Sequence, residues 1–358
     1  MRRAPLAAVA LVAVAGLTAA ACGGEGGASE TTTTEASTTT TTKPVVVAPL
    51  TGLPDPEGVS QTRASLGVKI ENTPEARPQS GLDQADVVYE EVVEGGITRF
   101  WGFFNSAAPE NVGPIRSVRA MDPNIILPFG GVVAFSGGTE DNVALVRATG
   151  LVTVDENNAG EAYFREPTRS APHDLYGHTA LLWAFGGTPV PPEPKFGYQK
   201  YSDFEKNGAS FAGEPVQSFH VLLGMGYDMS YVWDPARGGW ARFQQGIEPF
   251  MAAGSPETQI APTNVIVQFI PYGTGADGDV MGSGEAWVFS NGQLIRGTWG
   301  KAFPPAATQF TDSAGQPIPL TPGRTWIMLA PIGTPVDVVA AVPPATTAPT
   351  VAPPTTTK

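Results

Sequence analysis

The chain has 358 residues, enough for one to three domains and a sizeable buried core. Its 34 acidic residues outnumber 21 basic ones, giving a formal charge of −13. That balance argues against nucleic acid as a partner, because phosphate binding needs a basic footprint, and against a membrane contact made through protein charge.

The first 21 residues open with Arg2 and Arg3 and continue through PLAAVALVAVAGLTAAA, the pattern of a secretory signal peptide. LTAAAC follows, ending on Cys22, the single cysteine; small residues before it and Gly23-Gly24 after it resemble a bacterial lipobox, in which the cysteine is lipidated. A lone cysteine also leaves no internal disulfide, so a folded domain must hold together by burial. Loss of Arg2 and Arg3 on cleavage takes the charge from −13 to −15. Residues 22–49 are rich in Gly, Thr and Ser and read as a disordered tether, with a mean reach of roughly 30 Å for about 28 residues.

Residues 50–195 mix two periodicities. SLGVKIEN and ADVVYEEVVEGGITRFWGFFN read as strands with Gly95-Gly96 as a turn, and GGVVAFSGGT as a buried strand entering a glycine turn. EDNVALVRATG reads as a short helix ending at Gly150, and HDLYGHTALLWAFGG as another. Alternating strands and helices predict an α/β domain. The proline-rich stretch near 187–200 marks a boundary. Residues 205–332 then carry almost pure strand signal, with hairpins expected at Pro235–Gly239 and Asn291-Gly292, and predict a smaller, mainly antiparallel β domain. Residues 333–358 read as a Pro/Thr-rich disordered tail.

VKIENTPEARPQSGLDQADVVYEEVVEGGITRFWGFF, VGPIRSVR and RSAPHDLYGH, in that order, resemble the YerB-like family of bacterial lipoproteins, whose two domains carry the label domain of unknown function 3048. GQPIPLTPGRTWIMLAP resembles the end of the second domain, so the resemblance covers roughly residues 50–331. It implies a surface lipoprotein on the outer face of the cytoplasmic membrane and supplies no reaction. Two places depart from the family pattern. Phe135 and Ser136 stand where histidine is frequent, and Pro172-His173-Asp174 stands for Pro-His-Asn.

Arg116 and Arg119 follow Gly113-Pro114, a pair that predicts a helix start with both guanidiniums on one face. Cations at that end of a helix call for anions nearby. Asp86, Glu90 and Glu94 on one side of a strand, Glu91 on the other, and Glu71 are internal candidates. The alternative is a ligand. Arg165, Arg169 and His173 lie within nine residues, Pro172-His173 is placed to open a helix, and FSGGT offers backbone donors around Ser136. Arg116, Arg119, Arg169, His173 and Ser136 are therefore the candidate ligand-binding set, for an anionic cell-envelope ligand.

A catalytic alternative is a wall glycan or peptide hydrolase with His173 and Glu90 as acid–base pair; a third reading is a scaffold that contacts a cell-wall protein. Ser136 lies outside a G-x-S-x-G elbow, since Ala134 takes the first glycine position. No cofactor motif is present. His173 and His178, about 140° apart on a helix, give no metal site. His220 reads as a strand histidine, and Trp233, Trp240, Trp287, Trp299 and Trp326 as β-core residues more than a sugar platform.

Overall fold

The computed structural model describes residues 45–224, 227–245, 248–254, 256–274 and 277–341. The signal peptide, Cys22, most of the tether and the end of the tail lie outside the described residues.

The strand expectations carry through. β1 (Leu66–Glu71), β2 (Val87–Val92), β3 (Thr98–Phe104), β4 (Val132–Ala134) and β5 (Val152–Val154) come from the first half of the chain. The second half supplies β6 (Glu214–Leu222), β7 (Asp228–Asp234), β8 (Gly239–Gln244), β9 (Asn264–Ile270), β10 (Gly282–Ser290), β11 (Gln293–Lys301), β12 (Thr325–Pro331) and β13 (Val336–Ala340). The main sheet runs β8-β7-β6-β11-β10-β9-β12-β2-β3-β1-β4-β5. Both halves thus share one hydrogen-bonded sheet, joined where β12 pairs in parallel with β9 on one side and β2 on the other. Gln79–Ser80 makes a second junction by pairing with Met251–Ala253.

β1, β2, β3 and β9 are buried along their whole length, because apolar clusters cover both faces of the sheet. Val68, Val88, Phe100, Trp326 and Met328 lie in one cluster; Tyr89, Trp101, Phe103, Ile327 and Leu329 lie in the other. Period-two alternation dictates this split. Trp240, Trp299 and Trp326 are enclosed, while Trp233 and Trp287 pack half-buried against the core. At the β10–β11 hairpin Asn291 and Gly292 both take positive φ, 49° and 67°, the pair of values that an Asn-Gly turn provides.

Helices are few and short: α1 (Asp122–Ile126), α2 (Glu140–Arg147), α3 (Thr179–Ala184) and α4 (Tyr201–Asn207). The α/β character expected of residues 50–195 is therefore met only locally, where β4, α2 and β5 make one parallel crossover. α2 forms where the sequence caps it: the Thr139 hydroxyl accepts from the Asn142 amide at 3.2 Å, Glu140 and Asp141 occupy the first turn, and Gly150 follows with φ 75°.

Four further expectations are corrected. Residues 114–119 are extended, not helical. Their amides bond across to neighbouring segments: Ile115 to the Leu175 carbonyl, Arg116 to Lys69 and Val118 to Gly137. Pro172-His173 lies in a turn, and Leu175–His178 is a strand paired with Asn111–Val112 and Tyr163–Arg165; helix begins only at Thr179. The tail does not become irregular after Pro331, because β13 pairs with β6 from Val216 to Val221. At the other end Val47 bridges Pro54 and Ala48 is buried, so residues 45–49 belong to the folded body.

Candidate functional site

The end of β1 carries Lys69 and Glu71 on one sheet face, opposite Trp101 and Arg99 of β3. The extended segment 114–118 lies along this edge, tied by the Arg116 amide to the Lys69 carbonyl and by the Glu71 amide to the Pro114 carbonyl. The glycine turn after β4 packs on its other side. The Ser136 amide donates to the Arg116 carbonyl at 2.9 Å, and the Ser117 hydroxyl donates to the Ser136 carbonyl at 3.3 Å. The loop between Tyr163–Arg165 and Leu175–His178 then brings His173 over the end of β1.

Glu71, 1% exposed, is the meeting point. One of its oxygens accepts from Arg116 Nη2 at 3.0 Å and the other lies 3.0 Å from His173 Nδ1. Thr73 Oγ1 donates to the same carboxylate at 3.0 Å. Arg169 binds neutral partners: Nη1 donates to the Glu75 carbonyl at 2.9 Å and Nη2 to the Pro78 carbonyl at 2.8 Å. It has no ion-pair partner among the described residues. Arg169 and His173, with Thr168, Ser170 and the exposed Glu75, line an open hollow of about 510 Å³.

A second cationic group lies beside it. Arg119 pairs with Glu94 at 2.7 Å, a carboxylate in the turn after β2. Its Nη1 also shares the Ser117 carbonyl with Arg99 Nη1, at 3.4 and 2.9 Å. Arg99 is 7% exposed and its Nε finds no acceptor among the described residues. Burial first, then the like charges of Arg119 and Arg116, push its guanidinium down to about 10, still fully charged at neutral pH.

Glu90 and His173 are not brought together. Glu90 faces the opposite side of β2 from Glu91, fully enclosed, where it accepts from Arg242 at 3.1 Å to each oxygen, from Trp326 Nε1 at 2.9 Å and from Thr98 at 2.9 Å. The carboxylate partner of His173 is Glu71. Asp86 is likewise occupied, by the amides of Asn105 and Ser106 at 2.7 Å. Of the five carboxylates considered for the arginines, Glu71 and Glu94 take Arg116 and Arg119, and Glu91 takes Lys69, which also pairs with Asp122 at 2.8 Å. Lys69 and Arg99 are functional neighbours that sequence alone hardly marks. Their one signal is a cation inside an otherwise apolar, β-branched and aromatic run, VKI and TRFWGFF.

Residues 50–188 match the family model described as "Protein of unknown function (DUF3048) N-terminal domain", and residues 220–327 match the one described as its C-terminal domain. The chain belongs to the DUF3048 family. Within that family it is 28% identical over 303 residues to "Putative lipoprotein YerB" of Bacillus subtilis, covering 79% of this chain and 86% of that one. The crystal structure of the Bacillus subtilis YerB protein superimposes with a TM-score of 0.70 at 22% identity, covering 82% of this chain and 99% of that chain. The DUF3048 match spans both halves of the main sheet, and the fold is shared with YerB. Among the described residues no helix is long and apolar enough to cross a membrane.

Proposed function

We propose that this DUF3048 protein is an exported lipoprotein, held at the outer face of the cytoplasmic membrane through Cys22, that binds an anionic cell-envelope ligand in the hollow beside Arg169 and His173. The lipobox-like LTAAAC and the name of the relative support the anchor. The observation that carries the ligand is the local excess of guanidinium on an acidic chain: Arg116 shares Glu71 with His173, while among the described residues Arg169 and Arg99 hydrogen-bond only to carbonyls, and the one carboxylate lining the hollow is the exposed Glu75. A phosphate or carboxylate at the hollow supplies the missing negative charge through charge-assisted hydrogen bonds. Glu71 keeps Arg116 and His173 oriented until it arrives.

Thermal shift of the full-length chain with inorganic phosphate, anionic sugars and wall fragments tests the ligand. At least one anion raises the melting temperature, and Arg169→Ala abolishes the rise. No stabilisation by any of them overturns the reading. Cys22→Ser tests the anchor by moving the protein from the membrane fraction to the medium; retention in the membrane overturns it.

A hydrolase remains the second reading, with Glu71 in place of Glu90. It is favoured by one contact, His173 Nδ1 at 3.0 Å from a buried carboxylate, an arrangement that orients an imidazole for acid–base work. Its test is release of fragments from purified peptidoglycan that ceases in His173→Ala.

A further inference from the structure

β9, β12 and β2 run parallel and begin in register, Asn264 beside Thr325 and Thr325 beside Val87. A narrow hollow of about 290 Å³ opens at this shared start, at the far end of β2 from the Arg99 cluster and on the other face of the sheet. Its floor is Trp326. That indole is fixed by its bond to Glu90, by an edge-to-face contact with Phe100 at 5.1 Å, and by the Arg242 guanidinium 4.8 Å from its ring centre. Leu82, Val88 and Ile260 form apolar walls, each showing only 2–4% of its surface, so the space suits one ring or branched chain.

The mouth is charged. Arg324 is exposed and has no ion-pair partner among the described residues. The nearby Asp86 is spent on Asn105 and Ser106, and burial raises its pKa above the ordinary range. Arg237 also lines the mouth, in a 3.4 Å contact with Asp234. Asp83 sits on the same lining and opposes a second negative charge on anything bound there.

We propose that this hollow is a second binding site, distinct from the Arg169–His173 hollow, for a small monocarboxylate carried on an apolar body. The apolar end packs on the immobilised indole and the carboxylate meets Arg324 and Arg237. A fixed aromatic floor reduces the ordering cost of binding, and guanidinium forks recognise a carboxylate directionally. The walls come from both halves of the chain, so an occupant bridges them.

The test uses 3-phenylpropionate as probe, titrated into the full-length chain and followed by saturation-transfer NMR and calorimetry, with phenethylamine as the cationic control. 3-Phenylpropionate binds and phenethylamine does not. Arg324→Gln weakens binding by about tenfold or more, the plug Ala261→Phe abolishes it, and Arg169→Ala leaves it unchanged. Absence of binding at millimolar probe, equal binding of phenethylamine, or affinity unaltered in both Arg324→Gln and Ala261→Phe overturns the proposal. Loss of binding in Arg169→Ala assigns the probe to the other hollow and equally overturns it.

Discussion

Glu91 keeps its proton far above the ordinary carboxylate range, to about 8, because it is fully buried and faces the carboxylate of Asp122, with Lys69 only partly offsetting both. A neutral Glu91 avoids placing a second negative charge beside Asp122 where water cannot screen it. Below pH 4.5 folded and unfolded chains both hold this proton; above it the unfolded chain releases it while the folded chain does not. Stability contributed by Glu91 is thus full below about pH 4.5 and is lost as pH rises towards 8. Urea denaturation at pH 5 and pH 8 measures this loss, expected to be on the order of 1–3 kcal/mol, and Glu91→Gln flattens it. On the other face, Glu90→Gln weakens the partner of the fully buried Arg242 guanidinium and costs about 3 kcal/mol by the same assay. Alternation in VVYEEV already put Glu90 and Glu91 on opposite faces. Nothing local distinguishes the face that meets Arg242, 152 residues away, from the face that meets Lys69, because those partners arrive only through sheet pairing.

Elements were legible where a local device fixes them. Asn291-Gly292 dictates its own turn, Thr139 caps its own helix, and both stand where the sequence put them. Elements were hidden where a distant neighbour decides. Leu175–His178 lies in an apolar run that suits a helix, yet strands on both sides claim its backbone. Val336–Ala340 is a five-residue run inside a Pro/Thr-rich tail, and it is a strand because β6 presents an open edge. Truncation after Thr334 removes this cover. We expect a loss of about 1–3 kcal/mol and concentration-dependent self-association, read by denaturation and light scattering, since the uncovered edge pairs with other chains. The site was obscured in the same way. The Gly-Pro pair before Arg116 suits a helix start, but the amides of Ile115, Arg116 and Val118 are taken by Leu175, β1 and Gly137. The arginines therefore diverge to Glu71 and Glu94 instead of sharing a face.

At the scale of the whole molecule the sheet is the unit of stability. Its central parallel trio joins β2, from residues 87–92, to β9 and β12, from residues 264–270 and 325–331. A fragment ending at residue 200 leaves β2 with a bare, apolar edge and loses Trp326 from beneath Glu90. It is expected to lack cooperative unfolding, whereas the complete chain melts in one calorimetric transition; two separated transitions would contradict this. Local composition and periodicity recover most strands, but not which of them adjoin, since that order follows from long-range pairing. The position of β12 has a further effect in time. The strand that completes the middle of the sheet leaves the ribosome after nine-tenths of the chain, so β9 and β2, each already able to pair on its other side, keep one open edge apiece until then. A polypeptide built this way keeps its two halves unjoined until nearly all of it has been made, and the seam between them closes only when the last strands are present.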